Sequence, residues 1–225
     1  MNKKVITSDG SYTFYIEELD EHFRSKNGAV RESNHVFIKN GFEFWVKLNK
    51  KKNKCSIFEM GFGTGLNCLL TLRSNIKSSL LVKYNSVDAY PLKISETLDL
   101  NYEDFFKNET LSFLNRKILT SNWNNQVRIM KNFILNKNIT KLNHFKHKDK
   151  YDLIFYDPFG YKVQPEMWTI NSLEPIIKCL NFGGVFVTYS SKGSVKRILE
   201  SFQLFVEKIK GPPGKREMLR AIKKI

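Results

Sequence analysis

The sequence predicts an α/β fold built on a mostly parallel sheet, and three observations carry that reading. A glycine turn, Gly61-Phe62-Gly63-Thr64-Gly65, joins the apolar run Ile57-Phe58-Glu59-Met60 to an amphipathic segment over 66–72. Beyond it, apolar runs alternate with stretches of helical periodicity, the pattern of strands with helices on both faces. The last two apolar runs, Leu204-Phe205-Val206 and 218–222, are joined by a loop around Gly211-Pro212-Pro213-Gly214 with no helix between them. That arrangement predicts an antiparallel hairpin at the sheet edge.

Taken in order, residues 1–50 form a lead-in and 51–225 the main domain. Asp9-Gly10-Ser11 is a turn signal before Tyr12-Thr13-Phe14-Tyr15, a short strand. Residues 17–27 carry Leu19 and Phe23 at helical spacing, and an apolar His35-Val36-Phe37-Ile38 follows. The lead-in has no catalytic pattern of its own and is expected to pack over the opening of the site. After the glycine turn and its helix, residues 80–87 read as a second strand ending at Asp88. Residues 91–130 read as helical, with Leu98, Phe105, Phe106, Leu111 and Leu114 on one face. Residues 131–142 fit either a short third strand at Phe133-Ile134-Leu135 or a loop, since Asn136, Lys137 and Asn138 blur the pattern. A basic loop over 143–150 precedes the buried strand Tyr151-Asp152-Leu153-Ile154-Phe155-Tyr156. A helix starts near Asn171 and stops at Gly183-Gly184, followed by a strand over 185–189 and a helix over 193–202.

Composition narrows the function classes. A chain of 225 residues is one domain with room for a substantial core. No apolar run reaches the roughly 20 residues that cross a bilayer, and the basic N-terminus lacks a signal peptide's apolar core; a cytoplasmic location follows by default. Cys55, Cys68 and Cys179 form no Cys-x-x-Cys pair, which excludes a disulfide framework or zinc site and leaves three small core residues. His144 and His147 sit on a Lys-rich loop without an acidic partner, so no metal is expected. The net charge of +15 points to a polyanionic partner, nucleic acid first. Biased coding toward Lys and Asn is the competing explanation.

Chemistry gathers at the strand ends. In a doubly wound sheet a ligand sits outside the carboxyl ends of the strands, which places Glu59, Asp88, Asp157 and Ser190 along one rim. Glycines allow φ > 0 and close approach to the backbone, and loop amides at a helix N-terminus face whatever lies there. Here the spacing is G-x-G-x-G after an acid, not the G-x-G-x-x-G of dinucleotide sites. It resembles the first motif of S-adenosylmethionine (AdoMet) methyltransferases; the alternative is a glycine-rich surface turn. Asp88 stands where nucleotide-binding α/β folds hold ribose hydroxyls. Asp157 precedes Pro158, which restricts it to extended geometry, and Phe159 and Tyr161 lie close enough to stack on a base. Asp157-Pro158-Phe159 resembles the Asp/Asn-Pro-Pro-Tyr/Phe motif of amino-group methyltransferases, where such groups aim a nitrogen lone pair at a methyl donor. Orientation of that kind is worth roughly 7–11 kcal/mol, more than the ~10²–10⁴-fold of general-base help.

Several stretches together resemble the methyltransferase component of the bacterial enzyme that completes 5-methylaminomethyl-2-thiouridine at the tRNA wobble position. They are Asp9-Gly10-Ser11, Gly28-Ala29 with Glu32-Ser33 and 35–38, residues 58–67, Tyr90-Pro91-Leu92, 151–157 with Phe159, 164–169, 188–197 and 210–218. The resemblance runs nearly end to end. It implies the Rossmann-like class I AdoMet-dependent methyltransferase fold, a mostly parallel seven-stranded sheet with a C-terminal antiparallel hairpin. It implies methyl transfer from AdoMet to the amine of 5-aminomethyl-2-thiouridine, with Asp157 catalytic. By the same resemblance Glu59, Gly61, Phe62, Gly63, Thr64, Gly65, Asn67, Asp88 and Tyr90 hold the cofactor. Phe159, Tyr161, Gln164, Trp168, Lys192, Lys196, Arg197, Lys215 and Arg216 face the tRNA anticodon arm. Some relatives fuse this module to a flavin-dependent oxidase, so a stand-alone form with the amine-generating oxidase on a separate protein is expected here. The family's Asp-Gly/Ala-Phe-Ala-Pro stands in this chain as Asp157-Pro158-Phe159-Gly160-Tyr161. Two other readings are an amino methyltransferase acting on another nucleic-acid amine and a non-catalytic AdoMet- or RNA-binding module.

Overall fold

The computed structural model describes residues 2–100, 102–146 and 149–224. Its centre is an eight-stranded sheet in which β4 (Lys54–Met60), β5 (Leu81–Asp88), β7 (Phe133–Ile139), β8 (Tyr151–Tyr156) and β9 (Leu180–Thr188) run parallel. β10 (Leu204–Lys210) and β11 (Glu217–Lys223) form the expected hairpin, with β11 antiparallel to β9. The order β10-β11-β9-β8-β4-β5-β7-β6 puts the reversal of strand direction of travel between β4 and β8. That is the switch point at which such sheets bind ligands.

Alternation along the strands builds two cores. Cys55, Ile57, Leu153, Phe155, Val185 and Val187 face one side, packing with α3 (Leu66–Asn75) and α6 (Glu109–Thr120). Phe58, Met60, Ile154, Tyr156 and Phe186 face the other, against α7 (Ile170–Lys178) and α8 (Gly193–Ser201). A strand buried on both faces reads as a continuous apolar run, which is why β4, β8 and β9 stood out in the sequence. The three cysteines are buried and free. Among the described residues no helix is long and apolar enough to cross a membrane and no group of metal-ligating side chains forms; His147 lies outside the described residues.

Four expectations need correction. The sheet has eight strands, not seven: β6 (Gln126–Met130) pairs antiparallel with β7 through a bulge at Arg128/Met130. Helix therefore does not persist over 91–130 but breaks into α4 (Ile94–Asp99), α5 (Tyr102–Phe106) and α6, the last capped by the Asn108 side chain accepting from the Leu111 amide at 3.0 Å. Residues 17–27 are not helical; a 3₁₀ turn over Glu17–Leu19 closes through Asp20 at φ 46° into β3 (Glu21–His22). The Gly183-Gly184 pair does not end α7. It lies inside β9, where the register against β8 slips between Leu180 and Val185, a bulge that a Cβ at Gly184, 2.7 Å from the Asn181 carbonyl, would block.

The lead-in is a three-stranded antiparallel sheet, β1 (Asn2–Ile6), β2 (Tyr12–Ile16) and β3, followed by a continuous helical stretch. That stretch is α1 (Ala29–Ser33), a π-helical segment over Asn34–Phe42 and α2 (Glu43–Leu48). Val36, Phe37, Ile38 and Phe42 bury against the sheet, and Gly41 lets the backbone come within 3.0 Å of Phe155, measured from where a Cβ would sit. The β1–β2 turn caps α1 from a distance. Thr7 Oγ1 accepts from the Ala29 amide (3.2 Å), Ser11 Oγ from Val30 (3.3 Å) and Asp9 Oδ2 from Arg31 (2.8 Å), so amides with no partner inside the helix are satisfied by three side chains. Gly28, at φ 121°, is required because a Cβ there would lie 2.7 Å from Asp9 Oδ2. Asp9→Ala is expected to cost about 2 kcal/mol, the range for a charge-assisted bond plus orphaned donors. Urea unfolding checks it; a midpoint within error of wild type would refute the cap.

Candidate active site

At the switch point Met60 of β4 pairs with Tyr156 of β8, so the next residues, Gly61 and Asp157, lie side by side. The Asp157 amide donates to the Met60 carbonyl (3.3 Å) and the Gly61 amide to the Val87 carbonyl (3.0 Å). A Cβ at Gly61 would stand 3.2 Å from the Asp157 carbonyl oxygen, and Gly61, Gly63 and Gly65 all hold positive φ, of 87°, 52° and 75°. These are conformations in which any other residue is strained. The loop is thus folded tightly into the crevice by its neighbours. Asp88 ties it from the β5 side, accepting from the Gly63 amide at 2.8 Å and the Tyr90 amide at 3.0 Å. Burial raises the Asp88 pKa, against the lowering effect of those two amides.

Five buried polar side chains, those of Asp157, Asn67, Arg24, Glu59 and Ser86, converge beneath the loop. Asp157 Oδ2 accepts from Asn67 Nδ2 at 2.9 Å and from the Arg24 guanidinium, both partners of the ion pair being almost wholly buried. Glu59 accepts from the Ser86 hydroxyl at 3.0 Å. Burial pushes its pKa up to about 8, the Arg24 charge only partly opposing this, so near neutrality the carboxyl is mostly protonated. Asp157 is also raised by burial, with Arg24 pulling the other way. Two buried acceptors here, Glu59 Oε1 and Asn67 Oδ1, make no well-formed hydrogen bond, with the Asn67 amide and the Tyr84 hydroxyl the polar groups beside the Glu59 carboxyl. Such orphans are rare in proteins. Such acceptors would take a donor, and an ammonium group at the glycine turn, as the amino-acid end of AdoMet carries, would supply one.

The other glycine-loop residues turn inward. Thr64 is buried and accepts from the Tyr102 hydroxyl (3.1 Å). Phe62 packs edge-on against Trp123, and the Lys137 ammonium lies within 5.0 Å of both ring centroids. Lys137, buried in the middle of β7, donates to the carbonyls of Ile118 and Leu119 at the end of α6 (3.0 and 3.1 Å), and burial pulls its pKa down to about 8. Tyr90 is exposed beside Asp88.

The segment after Asp157 is held by its surroundings. Gln164 Oε1 accepts from the Phe159 amide (3.0 Å), Trp168 Nε1 donates to the Phe159 carbonyl (2.9 Å) and the Tyr189 hydroxyl donates to the Pro158 carbonyl (2.8 Å). Gln164 and Trp168 are therefore engaged with backbone, while Phe159 packs against Phe23 and Tyr161 stays exposed under the Lys192 ammonium, 3.5 Å from its ring centroid. Lys215 sits 3.8 Å from the Tyr189 ring centroid and 3.2 Å from Glu32 Oε2. Lys215 and Tyr189, with Arg216, Ser190, Ser191 and Glu217, line a cleft of about 430 Å³. Lys196 pairs along its helix with Glu200 at 2.6 Å, and Arg197 lies on the same helix; neither joins the crevice cluster.

Sequence reasoning missed Arg24, Phe23 and Ser86. Phe23 lies over Gly63, 3.5 Å from where a Cβ would sit, and the Arg24 amide donates to the buried Thr13 hydroxyl oxygen (2.9 Å). The helical reading of 17–27 concealed both; only as a strand-end pair do they reach the rim.

Comparison with known proteins places these features in a family. The proteins named tRNA 5-methylaminomethyl-2-thiouridine biosynthesis bifunctional protein MnmC resemble the chain along most of its length. That from Pseudoalteromonas atlantica is 28% identical over 90% of this chain and 31% of its own; that from Nitrosospira multiformis is 30% identical over 92% and 34%. The chain thus spans about a third of the length of these relatives. The crystal structure of MnmC2 from Aquifex aeolicus superposes over the whole of this chain and 71% of its own, with a TM-score of 0.76 at 22% identity, a likeness of fold. The family model described as S-adenosyl-L-methionine-dependent methyltransferase matches residues 93–224, more than half the chain, from just beyond β5 through the Asp157 rim to the terminal hairpin. With the class I sheet order and the glycine cradle in front of its orphaned acceptors, the chain belongs to the S-adenosyl-L-methionine-dependent methyltransferases.

Proposed function

We propose that this protein methylates the primary amine of 5-aminomethyl-2-thiouridine at the tRNA wobble position, giving 5-methylaminomethyl-2-thiouridine. The observation that carries the reading is the buried Asp157 carboxylate at the switch point beside Gly61, one oxygen fixed by Arg24 and Asn67. The MnmC relatives, named for biosynthesis of that nucleoside, support the choice of substrate. A tRNA substrate carries with it a cytoplasmic location.

AdoMet supplies an electrophilic methyl group on a sulfonium. Glu59, Asn67 and the turn over 61–65, whose Gly61, Gly63 and Gly65 amides are spent on the Val87, Asp88 and Phe62 oxygens, would hold its amino-acid end, and the two Asp88 oxygens keep lone pairs for ribose hydroxyls. Asp157 Oδ1, which takes no part in the bonds from Arg24 and Asn67, accepts a hydrogen from the amine and aims its lone pair. Phe159 and Tyr161 offer ring faces to the base. Gln164 and Trp168 act by clamping the loop that carries them. Lys192, Lys215 and Arg216 meet backbone phosphates of the anticodon arm, with Lys196 and Arg197 further along α8. Residues 1–50 serve as a cover on the domain formed by 51–225, since Phe23 and Arg24 reach over its crevice.

The direct test is incubation with AdoMet and tRNA bearing the free amine, followed by nucleoside mass spectrometry. Gain of one methyl on that nucleoside is expected; no gain refutes the substrate. Asp157→Asn is expected to lower the single-turnover rate about 100-fold or more while AdoMet affinity stays within a few-fold. The deficit should shrink as pH rises, because more of the amine, with an ordinary pKa about 10.4, then arrives neutral.

Glu59 gives a cofactor-binding signature. Its carboxyl, near pKa 8 in the free protein, must ionise against an ammonium, so AdoMet binding at pH 6.5 is expected to release close to one proton. Release should fade toward pH 9, where the carboxyl is already ionised, and vanish in Glu59→Gln. Calorimetry in buffers of differing ionisation enthalpy reads it directly; proton-neutral binding by the wild type at pH 6.5 removes Glu59 from the ammonium site.

For the RNA, log affinity against log salt should fall with a slope of about −0.9 per duplex phosphate neutralised. Replacing Lys215 and Arg216 together by Ala should flatten that slope and leave AdoMet binding unchanged. An unaltered slope would take the 215–216 corner out of the interface.

A further inference from the structure

The buried partner of Asp157 poses a chemical question. An amine substrate reaches neutral solution as an ammonium, and methyl transfer needs its lone pair. A lone buried carboxylate stabilises the ammonium and so holds the wrong species. In this protein the carboxylate is not alone. Arg24 is brought to it by the strand-end turn after β3, where the Phe23 amide donates to the Phe14 carbonyl (2.9 Å) and the Arg24 amide to Thr13 Oγ1 (2.9 Å). The guanidinium then bonds Asp157 Oδ2, the oxygen that also accepts from Asn67, and Phe23 against Phe159 closes the pair from above at 5.2 Å between ring centroids.

We propose that Arg24 is the positioning residue of methyl transfer: it pins Asp157 through Oδ2, leaves Oδ1 to orient the amine, and cancels the carboxylate's charge so that the amine sheds its proton. The inference rests on the amine-methyltransferase reading above. The ammonium first loses its proton to solvent. The nitrogen lone pair then forms the new C–N bond as the methyl–sulfur bond breaks, its electron pair staying on sulfur, and the product leaves as a secondary ammonium with a thioether. Arginine suits this role because its charge persists at every pH of interest and its planar fork fixes one carboxylate oxygen. A lysine in such a setting would itself titrate.

The charged and titratable groups around the pair are Glu59 on β4, Glu32 on α1, Tyr102 on α5, Glu21 on β3 and Tyr189 after β9. Glu32 is matched by Lys215 and Glu59 is largely protonated near neutrality, so Arg24 is the cation that sets the balance at Asp157. Burial raises the Asp157 pKa and the Arg24 charge holds it down, the direction this role requires.

Two measurements on Arg24→Gln test the proposal. The first is the Asp157 carboxyl titration by carbon NMR, without cofactor or tRNA, with Asp157→Asn used to assign the signal. Its midpoint is expected to rise by about one pH unit or more, since a unit charge at this range in a partly buried site is worth that much; an unmoved midpoint overturns the pairing. The second is the single-turnover pH profile. Its rising limb is expected to move about one unit or more to higher pH, at least tenfold in rate on the acid side, and to converge with wild type near pH 10. A profile lowered equally at all pH, with its midpoint in place, marks a structural role and overturns the proposal. Arg24→Lys, whose ammonium is still protonated in the range where a carboxyl titrates, should hold the Asp157 carboxyl midpoint within about half a unit of wild type. A full-unit shift in that variant overturns the proposal even where Arg24→Gln does not fold. If the carboxyl titration moves as expected but the wild type methylates no amine at any pH, the substrate reading has failed and takes the methyl-transfer role with it; the failure is then not in the ion pair.

Discussion

The close approach of two parallel strand ends is the constraint on which the rest of the structure depends. Met60 and Asp157 share a backbone hydrogen bond across the switch point, and a Cβ on Gly61 would press on the Asp157 carbonyl oxygen at 3.2 Å. That contact sets the height at which the glycine loop turns and the depth at which the Asp157 side chain enters the crevice. Asn67, on the first turn of α3, is delivered to the carboxylate because Gly65 starts the helix at positive φ. Even the lead-in conforms to it, since Phe23 rests on the loop and Arg24 reaches the acid beneath.

Much of this was legible because the relevant signals are local. Strands β4, β8 and β9 are buried on both faces and announce themselves as apolar runs, and glycine at alternate positions after one of them has few other meanings. The terminal hairpin followed from two strands with no helix between them. What stayed hidden depended on pairing at a distance. β6 has only five residues and is stabilised by its neighbour β7. β7 itself was blurred by Lys137, a charge at an inward position that only two carbonyls and two aromatic rings, all remote in sequence, make tolerable. Residues 17–27 carry a helix-like spacing, but backbone pairing of Tyr15 with His22 overrides it.

The same distinction separates the site residues. Asp88 and Asp157 were readable because one ends β5 and the other directly follows β8, and Glu59 because it lies one residue before the end of β4, buried beneath the glycine turn. Arg24 was not, because its role comes from where a hairpin deposits it. Gln164 and Trp168 were expected to face the tRNA, whereas in the structure their side chains bond the backbone of Phe159. Together with Tyr189 they bond the backbone of Pro158 and Phe159, so a segment lacking the family's Ala-Pro is still held at three points. Proline and glycine on either side of Phe159 alter the local backbone without removing those anchors.

The ammonium of Lys137 gives the glycine loop a foundation with a chemical expiry. It supports Phe62 and Trp123 from below and closes the carbonyl end of α6, yet burial leaves its proton only loosely held. On the alkaline side of about pH 8 it becomes a neutral amine, still able to donate hydrogen bonds but no longer a cation for the rings. The support under the glycine loop is therefore a charge that alkaline solution withdraws, while the hydrogen bonds to the α6 carbonyls can remain.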